Sequence, residues 1–409
     1  MDKLLRQSTS VEEWRERAKR LPGISTLWPR LRAWQQEKQI QNEQIYYEQQ
    51  ACVRGITVLN QEEVRLAVQQ RLALRGMQPV SRPRGELSII YASEMTNWEP
   101  HQIPPALAKF GDCLTYVLPE HGHSPRHPDW PDQRHQFDQD LLSFVKTEHA
   151  KQPIDVFLAY LSGYHVAPET IQAIANLGII TCAFHWDDRL GFRGRMVGER
   201  WTGPASLAKA YDLNLTNATA SLVKYFAEGG LAIFWPEAAN PDHFRSLDRP
   251  FDYDVSFIGG CYGQRPAFIN YLRGQGVKVE AFGRGWPNGP LTKQEMIEVY
   301  ARSRINLGIS GVGYSMKETC LKGRDFEVPM CGALYLTSEQ PDLHRVYQVG
   351  REVVTYRNKD ECFERISYLL AQPEECAEIR QSAHRRCLRE HSWEQRFQDL
   401  LISLRVLNE

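Results

Sequence analysis

From Glu86 onward, short apolar runs bounded by glycine, proline or polar turns alternate with longer amphipathic stretches. That pattern predicts a parallel sheet with helices on both faces, because strands buried on both sides read as near-continuous apolar runs. Leu87–Tyr91, Cys113–Leu118, Ile154–Tyr160, Ile179–Phe184, Leu213–Thr216 and Leu231–Phe234 are the strands expected of a first set. Helices are expected between them, as over Phe137–His149 and Pro168–Leu177. A proline-bearing connector, Trp235 to Tyr253, separates a second set: Val255–Gly259, Val277–Phe282, Ile305–Ile309, Ala333–Leu336 and Glu352–Tyr356.

Before Glu86 the chain is rich in Gln, Glu, Arg and Leu and poor in strand signals. Glu13 after Ser10, and Glu63 after Asn60, sit in capping-box register and predict two helix starts. The tail from Asp360 to Leu407 is helical, with Pro373 opening a new helix. The expected division is a helical extension over 1–84, a first domain over 85–236, a second over 250–392, and a C-terminal helix over 393–409. Two doubly wound α/β domains in tandem face a cleft, with ligands at the C-terminal ends of the strands.

Composition narrows the function classes. A formal net charge of -1 offers no general attraction to nucleic acid or anionic membrane, so functional cations must be local. Nine cysteines occur without a Cys-x-x-Cys pair, arguing against a disulfide frame or a zinc site. The start lacks an apolar signal core, and no apolar run reaches membrane-spanning length, so a cytoplasmic protein is expected. His121, His123, His127 and His135 fall in a proline-broken loop without regular ligand spacing, and no metal is expected.

The most informative stretch is Lys322-Gly323-Arg324-Asp325-Phe326-Glu327-Val328-Pro329-Met330-Cys331-Gly332. Pro329 restricts any helix here to a short one starting near Asp325. Lys322 and Arg324 beside a helix N-terminus suit phosphate, whereas Glu327 would repel phosphate and suits hydroxyl donors such as a ribose diol. Glycine-rich loops follow the preceding strands: Gly259-Gly260-Cys261-Tyr262-Gly263-Gln264-Arg265, then Gly283-Arg284-Gly285-Trp286, then Ser310-Gly311-Val312-Gly313-Tyr314 with Lys317 beyond. Glycine lets backbone approach a ligand closely. Trp286 packs on a base or closes its own loop.

These segments, taken with Gly350–Tyr356 and His391-Ser392-Trp393-Glu394-Gln395-Arg396-Phe397, resemble the CgeB-like glycosyltransferases, the spore maturation protein B family, over about residues 250–400. The resemblance implies a GT-B architecture: two Rossmann-like domains facing a cleft, the donor on the second and the acceptor mainly on the first. It implies a nucleotide-sugar co-substrate, a UDP-sugar favoured, and no cofactor. Glu327 would hold the ribose hydroxyls, and Arg324, Lys322 and Arg284 the diphosphate. Gly259, Gly260, Arg265, Gly311 and Lys317 would complete the donor site. Counting back from Glu327 places Thr319 where a second glutamate is expected, with Glu318 one position off, so the stereochemical class stays open.

Acceptor contacts and any base would come from loops of the first domain. His185-Trp186-Asp187-Asp188, directly after a strand, offers His185, Asp187 and Asp188 for catalysis; Glu94, His121 and Tyr164 are acceptor candidates. Other readings are a GT-B-type nucleotide-sugar epimerase, which needs no acceptor, and a noncatalytic nucleotide-sugar scaffold. The N-terminal helices offer a surface for packing on the next domain, for an acceptor or for a homodimer.

Overall fold

The computed structural model describes residues 24–96, 98–198 and 200–408. The helix start after Ser10, and Asn97 of the loop following the first strand, lie outside them. Among the described residues two helices come first, α1 (Ile24–Arg54) and α2 (Gln61–Leu74). Asn60 accepts the Glu62 and Glu63 amides and Glu63 returns to the Asn60 amide, closing the capping box. Val64, Val68 and Leu72 share one face of α2 and bury it in the core of the first sheet.

The first domain runs β1 (Leu87–Ser93), α3 (Ile103–Leu107), β2 (Gly111–Val117), α4 (Trp130–Lys151), β3 (Val156–Tyr160), α5 (Pro168–Ala175), β4 (Ile180–His185) and α6 (Asp188–Gly191). A small hairpin, β5 (Met196–Val197) and β6 (Arg200–Trp201), precedes β7 (Leu213–Thr216), α7 (Leu222–Ala227) and β8 (Ala232–Phe234). Six strands pair in the order β2-β1-β3-β4-β7-β8, all parallel. Every residue of β1 is buried, as a central parallel strand covered on both faces requires.

The second domain runs β9 (Tyr253–Ile258), α8 (Arg265–Gly274), β10 (Val279–Phe282), α9 (Lys293–Ala301), β11 (Ser303–Leu307), α10 (Arg324–Met330), β12 (Tyr335–Ser338) and β13 (Val354–Tyr356). Its parallel order is β10-β9-β11-β12-β13. In both sheets the order reverses beside the first strand, at β1/β3 and at β9/β11, which is where such folds open a crevice at the strand ends.

Three helices close the chain: α11 (Lys359–Leu370), α12 (Pro373–Glu390) and α13 (Trp393–Ser403). The last crosses back to the first domain. Trp393, Phe397, Leu400 and Leu401 join the cluster containing Leu87, Ile89 and Val156, and the Asn408 amide donates to the Arg82 carbonyl. The two domains are therefore joined by packing as well as by the connector. α1 spans both: Tyr47 packs with Phe192 and Tyr225 of the first domain, Ile40 with Val312 and Cys320 of the second.

Candidate active site

At the end of β9, Gly259 and Gly260 turn the chain into α8. A Cβ on Gly283 would lie 2.5 Å from the Gly259 carbonyl oxygen, so the two loops approach more closely than any side chain allows. Trp286 donates its indole N–H to the same carbonyl at 2.8 Å, and so closes its own loop. Arg265 is 7% exposed and donates to the Gly260 carbonyl at 3.2 Å; its guanidinium lies 4.2 Å from the Tyr262 ring centroid. Burial, then the neighbouring Arg324 cation, push it down to about 10.

Arg324 is the second cation of this wall, and its Nε is buried without a hydrogen-bond partner. Among the described residues neither Arg265 nor Arg324 forms an ion pair with a carboxylate within 4.0 Å. Two like charges held side by side with little water are costly, and the nearby Glu327 and Asp325 carboxylates offset this for Arg324 only in part, so an anion joining both is favoured. Glu327 stands on the cleft side: its Oε1 accepts from Gln102 Nε2 of the first domain at 3.2 Å, and Tyr300 lies 3.5 Å from Oε2. Burial pushes its carboxyl up to about 7 against the pull of Arg324.

The helix expected here forms over Arg324–Met330, and the amides of its first turn from Asp325 onward are bonded within the turn. Asp325 N–H donates to the Lys322 carbonyl, and those of Phe326 and Glu327 to Gly323. The Lys322 amide donates to Asp325, whose other oxygen accepts from Tyr335. The turn thus keeps these amides for itself, and the positive charge beside it is carried by the Lys322 and Arg324 side chains. Asp325, fully buried, is a structural clasp.

A cavity of about 1160 Å³ opens over the ends of β9, β11, β12 and β13. Tyr262, Phe268, Tyr314 and Tyr356 contribute aromatic surface to it, and Lys317, Arg357 and Lys359 contribute cations. Arg265 and Arg324 do not line it themselves: Arg265 lies behind it against the Tyr262 ring, and both cations act electrostatically on Tyr356 of its lining. Gly311 belongs to the loop that borders it; a Cβ there would lie 2.1 Å from the Ser315 carbonyl oxygen. Arg284 is exposed and lines neither this cavity nor the one below. Its backbone carbonyl binds the Cys261 amide instead. Glu318 turns to the first domain, taking Arg189 Nη2 at 2.5 Å and Gln41 Nε2 at 3.2 Å.

The first domain carries a smaller crevice of about 300 Å³ at the ends of β1, β3 and β4. The structure brings Glu94, His185, Asp187 and Asp188 together there, with Thr96, Tyr160, Ser162, His165 and Trp186. Glu94 lies 3.7 Å from His165, whose proximity, more than that of Arg126, holds its carboxyl below the usual range. His185 is 4% exposed with Nε2 unpartnered; burial pushes it down to about 3, so its imidazole is neutral. Asp188 is spent on structure, accepting from Ser221 at 2.7 Å and Tyr225 at 2.9 Å. His121 and Tyr164 are not brought to this crevice. His121 stacks on Tyr116 at 3.9 Å beyond an edge strand, and the Tyr164 hydroxyl donates to the Pro125 carbonyl.

Between the two cavities lies a charge cluster. Lys322 Nζ reaches Asp187 Oδ1 at 3.0 Å across the cleft. Burial pushes its ammonium down, but the Asp187 and Glu237 carboxylates outweigh this and hold it above its ordinary value. Glu237, in the connector, is buried; burial pushes its carboxyl up to about 8, and Asn217 Nδ2 donates to it at 3.1 Å. Sequence reading missed Glu237, Gln102 and Asn217. Nothing local marks them: each lies outside the glycine-rich loops and becomes a site neighbour through the docking of the two domains.

Residues 265–402 match the family model described as Glycosyl transferase-like. The chain superposes on sucrose-phosphate synthase from Thermosynechococcus elongatus with a TM-score of 0.54 at 13% identity, covering 77% of this chain and 98% of that one. HepE from Anabaena, solved in complex with UDP-glucose, superposes with a TM-score of 0.52 at 12% identity, covering 78% of this chain and 100% of that one. The comparison with curated proteins gives no match. The chain thus has the GT-B fold, two Rossmann-like domains facing a cleft, and its second domain is glycosyl transferase-like, the architecture of a glycosyltransferase.

Proposed function

We propose that this protein transfers a sugar from a nucleoside-diphosphate sugar, a UDP-sugar by preference, to an acceptor hydroxyl, without a resident metal, and that it belongs to the CgeB-like branch. The observation that carries the reading is a pair of neighbouring guanidiniums behind the large cavity, buried Arg265 and half-buried Arg324 with its Nε orphaned, neither within 4.0 Å of a carboxylate among the described residues. A departing nucleoside diphosphate gains negative charge, and fixed cations in a site shielded from water stabilise it with little reorganisation. Lys322, at the cleft between the cavities, adds a third cation on the acceptor side.

Glu327 accepts the ribose hydroxyls in this reading, exchanging its contact with Gln102 for the diol. The small crevice takes the acceptor. Glu94 and Asp187 are its carboxylates, and the neutral His185 imidazole is a hydrogen-bond partner for a hydroxyl rather than a cation. HepE, a structural relative, was solved with UDP-glucose, which supports a uridine donor.

The test is release of UDP from UDP-sugars in the presence of a sugar and polyol acceptor panel. Acceptor-dependent release, lost in Arg324→Ala, is expected. Arg324→Ala with undiminished turnover would remove the basis of the reading. Nucleotide binding with no transfer to any acceptor would favour the scaffold instead.

A further inference from the structure

The first turns of α1 reach the large cavity. Trp28, Pro29 and Arg30 line it opposite the second domain's own loops. This segment is not adjacent to the second domain in the chain; it is carried there by a helix anchored on the first. Lys224 Nζ pairs with Glu43 at 3.1 Å, the Tyr47 hydroxyl donates to Glu228 at 2.6 Å, and Arg54 Nη1 donates to the Ala227 carbonyl at 2.6 Å.

Further toward its N-terminus, α1 grips the second domain's loop between β11 and α10. Gln36 Oε1 accepts the Tyr314 amide at 2.7 Å, and Glu37 Oε1 accepts the Ser315 hydroxyl at 2.8 Å. Gly313 turns the loop at φ +58°, a backbone conformation that favours glycine, and a Cβ there would crowd Gln36 Oε1 at 2.4 Å. The same loop leads to Lys322, Arg324 and Glu327. One helix therefore fixes the loop bordering the cavity and also supplies part of its lining.

We propose that Trp28 is a specificity-determining residue of the donor site: it covers the nucleobase of the bound nucleoside diphosphate, while Arg265 and Arg324 take the phosphates. The inference rests on the donor reading above and extends it to a segment outside both Rossmann-like domains. Two features of the cavity favour a nucleotide. Its aromatic lining offers flat apolar surface for a base, and base–aromatic stacking is worth about 1–3 kcal/mol. Arg30, Lys317, Arg357 and Lys359 give it a cationic margin against the single carboxylate Glu339, which is itself bonded to Thr355. The cover is built on the first domain, so a bound base would link the two domains through α1.

The experiment compares the unaltered protein with Trp28→Ala, titrating UDP, ADP, GDP and inorganic pyrophosphate by calorimetry, with urea unfolding as a check on the fold. Trp28→Ala is expected to weaken the preferred nucleotide about tenfold, the lower part of the stacking range, and to leave pyrophosphate affinity unchanged. Trp28→Phe, which keeps an aromatic face, is expected to restore most of the loss. Nucleotide affinity unchanged in Trp28→Ala, or pyrophosphate weakened as much as nucleotide, overturns the inference while the donor reading stands. Absence of nucleotide binding by the unaltered protein overturns both.

Discussion

Replacing Glu327 by Gln should make the protein more stable and a poorer binder of donor. Burial holds this carboxyl up at about 7, against an ordinary 4.5. Ionising it in the folded state therefore forfeits about 3 kcal/mol relative to the unfolded chain. Solvent still reaches the partly exposed side chain, which cuts the figure to about 2 kcal/mol. For a carboxyl raised in this way, the folded state is favoured most below pH 4.5, and that advantage fades as pH climbs through 7. Gln has no charge to bury, so the variant should gain about 2 kcal/mol over the parent at pH 8 and nothing at pH 4.5. In the donor complex the balance reverses. A neutral amide accepts a ribose hydroxyl more weakly than a carboxylate does, by about 1–1.5 kcal/mol, or roughly tenfold in affinity. Urea unfolding at pH 4.5, 6 and 8 and calorimetric titration with UDP measure both effects. A variant no more stable than the parent at pH 8, or one binding UDP undiminished, would refute the reasoning.

Other outcomes follow from single contacts. Arg265→Ala should weaken pyrophosphate binding by about 1.5–3 kcal/mol, or roughly 10- to 150-fold, measured by calorimetry; unchanged affinity would make Arg265 merely structural. Glu237→Gln should raise stability above pH 6, since this carboxyl, held at about 8, favours the folded state most below 4.5 and loses that as pH rises through 8; a parallel pH profile in parent and variant would refute it. Gly308→Ala places a Cβ 2.2 Å from the Tyr335 hydroxyl and 2.5 Å from Thr337 Oγ1, so it should cost about 1–3 kcal/mol in urea unfolding. Asp188→Ala orphans the buried Ser221 and Tyr225 hydroxyls and should cost about 2 kcal/mol or more in urea unfolding, a value near zero contradicting the assignment.

The repeated strand–helix alternation was enough to give two doubly wound domains, because strands covered on both faces need unbroken apolar runs and parallel pairing needs helical crossovers. The Asn60 cap and the short Pro329 helix were equally readable, since capping and proline effects act within a few residues. Candidate residues were nameable where they travel in one segment: Lys322, Arg324 and Glu327 are close in sequence, and Arg265 opens the helix after the first strand of its domain. His121 and Tyr164 misled because polar residues after strands are equally common on outer edges, where His121 rests on Tyr116.

What no local pattern could give is which distant groups share a charge or a surface. Glu237 faces Lys322, Gln102 meets Glu327, and Glu318 turns to Arg189 because the domains dock and α13 returns to the first core. The reach of α1 to the second domain is of the same kind. Burial then sets the chemistry, raising Glu327 and Glu237 and lowering His185, since the cost of a charge depends on the water and partners removed from around it.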